Sequence, residues 1–386
     1  MCSSLHMVDG FSVIASSTST SLRELAALFL RLGATAFGGP AAHIAMMQAE
    51  VVGRKKWMTD ERFLDLLGAT NLIPGPNSTE LAIHIGFERR RWAGLVVAGL
   101  CFIVPAMLAT GALAWAYVEY GTLPQAGWLM YGIKPVILAV VVQAIAALAP
   151  KAAHSARLRA LAAASVVAVV LGAHELLVLL AAGVLAIAAR PRGPAALLIP
   201  LAPVLPAVAS AVTLPGLFGV FFKIGSVLFG SGYVLLALLR ADLVQRLGWL
   251  TEAQLIDAVA AGQVTPGPVF TTATFIGYLL HGPAGAGVAT LGIFCPAFLF
   301  VALSGPLVPR LRASNWAGSF LDGVNVASLA LMAVVTVQLG QAAIVDWPTA
   351  ALALGSAVVL LLFKPNATWV IGLGAAAGFL LHAAAR

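Results

Sequence analysis

The sequence predicts an all-α polytopic membrane protein built from two homologous, inverted repeats that contain broken or re-entrant helices. Three observations predict this fold class. Apolar stretches of membrane-spanning length recur from Leu22 to the end of the chain. One ordered set of Gly, Pro and Trp residues occurs twice, and basic residues cluster in the short loops between apolar stretches. Each of these patterns is typical of multi-span membrane proteins with internal repeats.

The composition places most of the protein surface against lipid or other helices. Charged residues make up 10% of the chain, whereas a soluble domain carries about 25%. The formal net charge is +7. The basic residues lie in short loop clusters, as cytoplasmic membrane loops do, so the charge does not indicate a nucleic-acid partner. We therefore expect the protein to be embedded in the lipid bilayer.

Motifs for enzymatic chemistry are absent from the sequence. There is no GxxxxGK[ST], HExxH or GxSxG pattern and no Cys/His ligand set. Cys2 is terminal, while Cys101 and Cys295 lie in apolar runs and are interpreted as packing residues. We therefore expect no catalytic residues, no metal and no cofactor.

An internal repeat organises the chain. The segment FLRLGATAFGGP from Phe29 is matched, 192 positions later, by FFKIGSVLFGSG from Phe221. At the same spacing Pro74-Gly75-Pro76 falls on Pro266-Gly267-Pro268. The predicted organisation is a disordered lead over residues 1–21, a first repeat over 22–190, a Pro-rich linker over 191–215 and a second repeat over 216–386.

Loop charge predicts the orientation of the repeats. The first-half loops at 53–62, 88–91, 150–159 and 190–193 are basic, whereas those at 119–128 and 172–175 carry no Lys or Arg. Segment 63–87 thus starts and ends on one side, as a re-entrant hairpin with its tip at the Pro-Gly-Pro. In the second half the equivalent of the neutral loop carries Arg310 and Arg312. This bias indicates inversion, although Arg240 and Arg246 run against it, and inverted repeats place a substrate site near the membrane midplane.

Each half has two predicted helix breaks, at the FGGP or FGSG segment and at the Pro-Gly-Pro. Pro40 and Pro76 are predicted as the first residues of half-helices, whose free N–H groups bind anions. Asn77, Ser78 and Thr265 add donors. The alternative is that these residues only permit close packing or kinks. The predicted anion site comprises Gly38, Gly39, Pro40, Pro74, Gly75, Pro76, Asn77, Ser78, Gly230, Ser231, Gly232, Thr265, Pro266, Gly267 and Pro268.

Charged and titratable residues in the apolar helices complete the predicted site. Arg31 and Lys223 are equivalent in the repeat and are predicted to clamp a divalent oxyanion, with snorkelling to the interface as the alternative. Glu80 is the proton-coupling candidate, with pairing to a nearby base as the alternative. His43 is a candidate anion donor or a packing histidine. Asp65 and Asp257 are interpreted as helix-capping acids.

Three segments of the first half resemble the signature of the chromate ion transporter family: FGGPAAHIA at 37–45, RKKW at 54–57 and PGP at 74–76. The second half is similar to that family's C-terminal domain in FGSGY at 229–233, WLT at 249–251 and TPGP at 265–268. The resemblance covers the chain from about residue 22 and fits the long two-domain type. Ser231 and Gly232 depart from the FGGP pattern.

The resemblance implies a secondary active transporter that exports chromate across the bacterial inner membrane, powered by the membrane potential or a proton gradient, and so confers chromate resistance. Sulfate, which has the same charge and nearly the same shape, is the expected competitor. The alternatives are a transporter of sulfate or another oxyanion, uptake included, or a membrane-embedded enzyme acting on a lipid or phosphate ester. The oligomeric state is open, a homodimer included.

Overall fold

The computed structural model describes residues 20–37, 39–189, 211–229, 234–313 and 315–384, and these residues form fourteen α-helices and no β-strand. The first half contains α1 (Leu22–Thr35), α2 (Gly39–Gln48), α3 (Asp60–Thr70), α4 (Asn77–Tyr120), α5 (Pro124–Ala152), α6 (Ala156–Val170) and α7 (Glu175–Ala188). The second contains α8 (Leu214–Val227), α9 (Val234–Leu239), α10 (Glu252–Val264), α11 (Thr272–Ala313), α12 (Asn315–Ala343), α13 (Trp347–Phe363) and α14 (Ala367–Ala384). The all-α prediction is confirmed.

Four of the described segments are long and apolar enough to cross a membrane. They lie in α4, α5, α11 and α12, and four shorter apolar helices accompany them. Large apolar side chains such as Leu108, Leu303 and Trp369 are exposed on their outer faces. An apolar outer surface of this extent fits a lipid environment and would not stay dissolved in water.

Helix boundaries repeat with the sequence spacing. Helix α8 begins at Leu214, 192 positions after α1 begins at Leu22, and α12 begins at Asn315, 191 positions after α5 begins at Pro124. A π-helical segment follows α2 at Ala49–Arg54, and another follows α9 at Arg240–Arg246. The two halves are therefore copies of one module, as predicted.

The predicted lead and linker lie mostly outside the described residues. Residues 20–21 and 211–215 are their described parts. Thr20 Oγ1 accepts hydrogen bonds from the Arg89 guanidinium, and Ser21 caps α1 by accepting from the Glu24 N–H. At the other end of the linker, Pro215 lies in the first turn of α8, where a proline needs no N–H acceptor.

Long helices α4 and α11 each reverse direction at a two-residue break. The break in α4 is Arg90 (φ −143°) and Arg91 (φ 51°), and the break in α11 is His281 (φ −151°) and Gly282 (φ 61°). The near-identical angles at equivalent positions show that the break belongs to the repeated module. Each long helix is therefore two arms, a short one that begins after the Pro-Gly-Pro and a long one that follows the break.

Paired glycines allow the two arms to pack closely. A Cβ added at Gly86 or Gly94 would overlap the other residue's carbonyl oxygen, and Gly277 and Gly285 repeat this contact in the second half. Residues eight apart in a continuous helix are about 12 Å apart, so this contact requires the chain to fold back. Small residues at such crossings are typical of helix packing in membranes.

Each Pro-Gly-Pro is the tip of a helical hairpin, which confirms the predicted broken helices. Helix α3 ends at Thr70 and α4 begins at Asn77, so segment 63–87 is two helices joined through the break. At the base of this hairpin the Arg62 guanidinium binds Glu88 through two nitrogens, with Nη2 2.7 Å from Oε2. Helices α10 and α11 form the second hairpin around Pro266–Pro268.

The two hairpins approach the long arm of α4 from opposite ends. The first hairpin crosses this arm at Gly94, close to its beginning. The tip of the second hairpin reaches its middle, where Thr265 Oγ1 lies 3.1 Å from Thr110 Oγ1. The body of the second hairpin contacts its far end, where Tyr117 donates to Asp257 over 2.9 Å. This opposed entry is the arrangement predicted for inverted repeats.

Reciprocal backbone hydrogen bonds join the two halves around an approximate two-fold axis. The Gly75 N–H donates to Leu228 O over 2.7 Å, and the Gly267 N–H donates to Ala36 O over 2.9 Å. Donors and acceptors are both related by the 192-residue spacing, as a self-complementary interface requires. Each Pro-Gly-Pro tip is thus held by the end of the first helix of the other half.

The outer helices are exchanged between the halves. Helix α5 of the first half packs against α13 and α14 of the second, and α12 of the second half packs against α6 and α7 of the first. Neither half can therefore bury its own outer helices alone. The central hairpins and the long helices α5 and α12 form one interdigitated unit.

Inversion predicts that Thr122 and Arg312, which are close to the ends of the two long arms, lie on opposite sides of the membrane. We expect a membrane-impermeant thiol reagent to label Thr122→Cys and Arg312→Cys from different sides, in a chain whose native cysteines are replaced by Ala. Labelling is to be compared in intact cells and everted vesicles. Labelling of both positions from one side would contradict the inverted arrangement.

Candidate functional site

The glycines at the hairpin tips hold backbone conformations that other residues rarely adopt. Gly75 has φ +141° and Gly267 has φ +89°, and Gly39 at the start of α2 has φ +76°. Positive φ costs an L-residue about 1–2 kcal/mol. These tips are therefore defined by glycine and flanked by prolines that cannot donate a backbone hydrogen bond.

Both predicted half-helices are present, and each begins one residue away from its predicted start. Pro40 is the second residue of α2, in its first turn. Pro76 is the N-cap of α4 and not its first residue, because its backbone is extended (ψ 95°) and its carbonyl accepts from the N–H groups of Thr79 and Glu80. The first helical residues are Asn77 and Ser78, whose N–H groups have no acceptor within the helix.

A cavity of about 630 Å³ lies between the two hairpin tips and helices α5 and α12. Five of the predicted site residues line it: Pro40, Pro76, Asn77, Ser78 and Pro268. Asn77 Nδ2 also donates to Asn71 Oδ1 over 2.7 Å, which ties the start of α4 to the end of α3. The structure thus brings the first hairpin tip, the second hairpin tip and α2 together at one cavity.

Six polar residues of this cavity were not predicted from the sequence: Asn71, Gln143, Lys151, Asp322, Asn325 and Ser328. The Ser328 hydroxyl is buried and has no hydrogen-bond partner among the described residues. A sequence signal was available for some of them. Gln143, Asn325 and Ser328 are isolated polar residues in apolar stretches, and in a membrane helix such residues mark binding sites.

A second cavity of about 320 Å³ lies against the second hairpin tip. It is lined by the predicted residues Gly39, Thr265 and Gly267, together with Lys364 from the turn between α13 and α14. Pro74 and Pro266 belong to the hairpin breaks and line neither of these two cavities. Gly38, Gly230, Ser231 and Gly232 lie outside the described residues.

Arg31 and Lys223 occupy equivalent positions, as predicted, and each is bound by a carboxylate. Arg31 Nη2 lies 2.6 Å from Glu50 Oε1, and Lys223 Nζ lies 2.6 Å from Asp242 Oδ1. Neither basic residue lines the two cavities described above. An oxyanion clamp at this pair would require both ion pairs to open, so the clamp stays a prediction.

The carboxylates of these ion pairs belong to the repeat and were not predicted. Glu50 and Asp242 lie in the two π-helical segments, 192 positions apart. Each carboxylate also binds an arginine four residues later, Arg54 or Arg246. Glu50 and Asp242 align with each other when the two halves of the sequence are superposed. This alignment could have predicted that both acids belong to the repeated module.

His43 is buried, and both of its ring nitrogens have partners. Nε2 lies 3.1 Å from Ala36 O and Nδ1 lies 3.3 Å from Ser78 Oγ. Because a carbonyl oxygen only accepts, Nε2 donates to Ala36, and the neutral ring accepts from the Ser78 hydroxyl at Nδ1. His43 therefore links α2 to the start of α4, and this geometry is that of a packing histidine.

Glu80 is fully buried, one turn after the first hairpin tip. Neither of its carboxylate oxygens has a hydrogen-bond partner among the described residues. A Cβ added at Gly75 would overlap Glu80 Oε1, so the carboxyl group lies directly against the Pro-Gly-Pro. An ionised carboxylate in such a place has no compensating partner, whereas a protonated one is neutral.

Asp65 and Asp257 are not helix caps, which corrects their interpretation. Thr59 and Thr251 cap α3 and α10. Asp257, which is 5% exposed, accepts from Tyr117 and lies 3.2 Å from Lys134 Nζ. A buried carboxylate held by a lysine and a tyrosine is a structural link between the second hairpin and helices α4 and α5.

Broken helices related by a two-fold axis, with a largely apolar cavity that a few polar side chains line where the helix tips meet, are typical of membrane transport proteins of the inverted-repeat class. The chain belongs to the chromate transporter family, because the family model "Chromate transporter" matches residues 23–187 and again residues 216–379. The two matches correspond to the two repeats.

Curated relatives match along most of their length. The chain is 35% identical to a "Chromate transport protein" of Cupriavidus metallidurans over 92% of each chain. It is 30% identical to a "Probable chromate transport protein" of Synechococcus elongatus, over 89% of this chain and 91% of the relative. It is 32% identical to a "Chromate transport protein" of Pseudomonas aeruginosa, over 83% and 82%. No solved structure matches the chain.

Proposed function

We propose that this chain is a secondary active transporter that exports chromate across the bacterial inner membrane and so confers chromate resistance. The observation that carries the proposal is the cavity between the hairpin tips. It is bordered by the starts of two half-helices and by side-chain amides and hydroxyls, one of which, Ser328, is buried without a partner among the described residues. Donors of this kind bind an oxyanion without a bound metal.

The charges at the cavity support a site that depends on neutral donors. Lys151 and Asp322 are the charged residues that line it, one of each sign. The N–H groups of Asn77 and Ser78 then supply most of the interaction with a tetrahedral dianion, together with the Asn325 amide and the Gln143 amide, whose nitrogen also donates to Leu360 O over 3.0 Å. Such a site releases its ligand more readily than a fully charged one, which transport requires.

The position of Lys151 in the cavity lining supports loading from the cytoplasm. Lys151, at the C-terminal end of α5, lines the cavity. A three-residue turn joins α4 to α5, so α5 ends at the level where the long arm of α4 begins. The basic loops 88–91 and 150–159 lie at this end, which the positive-inside rule assigns to the cytoplasm. An exporter takes up its substrate from that side.

Energy coupling through protons is the remaining part of the proposal. The sequence has no nucleotide-binding motif, and Glu80 is an isolated buried carboxyl group close to the site. Intramembrane carboxyl groups of this kind are typical proton carriers in transporters. The names of the relatives favour chromate as the substrate, and sulfate is the expected competitor.

Labelled chromate uptake into everted membrane vesicles tests the proposal. We expect vesicles that contain the protein to accumulate chromate, and we expect excess sulfate and a protonophore each to reduce the initial rate. Vesicles without the protein are the control. Uptake that equals the control would overturn chromate export. If the protein accumulates chromate and excess sulfate has no effect, export stands but sulfate is not a competitor. If the protonophore has no effect, export stands but it is not coupled to protons.

The ion pairs of Arg31 and Lys223 give a separate prediction. If Lys223 only neutralises Asp242, Lys223→Gln and Asp242→Asn should both lower the thermal unfolding temperature and leave chromate affinity unchanged. If Lys223 clamps the anion, Lys223→Gln alone should weaken chromate binding, by about tenfold or more for a lost charge-assisted hydrogen bond. Thermal unfolding and chromate binding of the purified variants decide between these outcomes, and Arg31→Gln with Glu50→Gln repeats the comparison.

A further inference from the structure

One face of the short arm of α4, residues 77–89, carries three titratable residues in a row. Glu80, His84 and Glu88 are spaced four apart, and residues four apart lie on the same face of a helix. Glu80 is 0% exposed at the hairpin tip and His84 is 8% exposed, whereas the Glu88 side chain is 36% exposed at the hairpin base. The row therefore leads from the buried tip to the protein surface.

The inner part of this row is unusually poor in hydrogen bonds. Both Glu80 oxygens, Thr79 Oγ1 and His84 Nε2 are buried without a hydrogen-bond partner among the described residues. Buried polar groups are nearly always paired, and leaving one unpaired costs free energy. Four such atoms lie within two helical turns, and buried unpaired groups of this kind require a functional or structural explanation.

The second hairpin provides an internal comparison. Its equivalent arm from Thr272 to Leu280 contains no Asp, Glu, His, Lys or Arg, yet it packs in the same way, with the same glycine crossing and the same break. The fold of the hairpin therefore does not need titratable residues on this arm. Their presence in the first half alone points to a function that only one half performs.

We infer that Glu80, His84 and Glu88 form a proton path between the hairpin tip and the cytoplasmic end of the first hairpin, with His84 as the intermediate carrier. This inference rests on the proposed proton coupling at Glu80. The O–H bond of protonated Glu80 breaks and an N–H bond forms on the His84 ring. The imidazolium then releases its proton to the Glu88 carboxylate at the hairpin base, and Glu80 is left as a carboxylate.

The surrounding charges are arranged for such a transfer. The charges of Arg62 and Glu88, at the hairpin base, interact electrostatically with the His84 ring. Arg62 also interacts electrostatically with Asp65 on α3. Helix α2 contributes one titratable residue, His43, which is held by Ala36 and Ser78. Glu80 and His84 are one helical turn apart, about 5–6 Å between Cβ atoms, so a change of side-chain rotamer brings them into contact.

Two fluxes measured on purified protein in liposomes test the path. Net chromate flux driven by a pH gradient requires a proton to leave Glu80, whereas chromate–chromate exchange at equal pH does not. We expect His84→Gln to lower net flux by about tenfold or more, the order of effect of losing a proton-transfer group, with exchange unchanged. The matched control is His154→Gln, which alters a histidine on a loop at the same end of the protein and should change neither flux.

Each outcome decides a different question. Equal losses of net flux and exchange in His84→Gln would assign His84 a structural or binding role and overturn the path, as would unchanged net flux. Absence of both fluxes in the wild-type protein would overturn the proposed function itself. If His84→Gln does not insert, Glu88→Gln at the exposed hairpin base replaces it. That variant is expected to slow net flux with exchange intact. Equal effects on both fluxes, or an unchanged net flux, would again overturn the path.

Discussion

Replacing Gly267 by Ala is expected to lower chromate transport by about tenfold or more and to lower the unfolding temperature. The unfolding temperature should fall because the positive φ alone would strain an alanine by about 1–2 kcal/mol. At φ +89° the new Cβ would also lie 2.7 Å from Ala106 Cβ and 2.9 Å from Gly33 O. Both neighbours belong to packed helices that cannot move separately. The second hairpin tip would then shift, and with it the Gly267 N–H that donates to Ala36.

Gly75→Ala should separate stability from transport more clearly. The atom that its Cβ would meet is Glu80 Oε1, the end of a flexible side chain. Glu80 can rotate away, so we expect a smaller loss of stability than in Gly267→Ala but a comparable loss of transport. The control is Gly287→Ala in α11, where a Cβ would meet nothing within 4 Å. Alanine should favour that helix slightly.

Initial chromate rates, normalised to inserted protein, and thermal unfolding of the purified variants check both changes. Wild-type transport in Gly267→Ala would show that the tip tolerates a side chain and that the Pro-Gly-Pro is not part of the site. A transport loss in Gly287→Ala as large as in Gly75→Ala would show that the assay reports general disturbance of the helices.

The repeat was predictable because the same residues recur at a spacing of 192, and the hairpin tips were predictable because they follow from local backbone chemistry. Glycine permits positive φ and proline removes a donor, so Pro-Gly-Pro in an apolar stretch defines a break wherever it occurs. The helix starts at Thr59 and Thr251 are predictable for the same reason, since a threonine followed by an acid satisfies free N–H groups locally. These features need no knowledge of distant contacts.

Local patterns mark some polar residues of the cavity walls, but they do not predict that α5 and α12 meet at one cavity. Helices α5 and α12 reach it because the outer helices are exchanged between the halves, and no short-range signal encodes that exchange. Gln143 therefore looked like one polar residue in a long apolar helix. The partners of Arg31 and Lys223 were missed for a related reason, because the π-helical segments fold back to bring Glu50 and Asp242 alongside them.

Glu80→Gln is expected to abolish net chromate transport driven by a pH gradient and to retain chromate–chromate exchange. Glutamine has nearly the same shape as a protonated glutamate and carries no ionisable group. It therefore keeps the packing against Gly75 and removes the proton. The remaining exchange flux should also lack the pH dependence that we expect of the wild-type protein, because the coupling group no longer titrates.

Two further variants at this position separate the proton from the shape of the side chain. Glu80→Asp keeps an ionisable group one methylene shorter, and we expect it to recover part of the pH-driven flux. Glu80→Thr gives the first hairpin the residue type that the second hairpin carries at Thr272. It should behave as Glu80→Gln does, since neither side chain has an ionisable group.

Transport driven by the pH gradient in Glu80→Gln at the wild-type rate would remove Glu80 from the coupling mechanism. Loss of exchange together with driven transport, in a variant that unfolds at the wild-type temperature, would instead place Glu80 in the binding of the oxyanion, because exchange requires binding and reorientation but no net movement of protons.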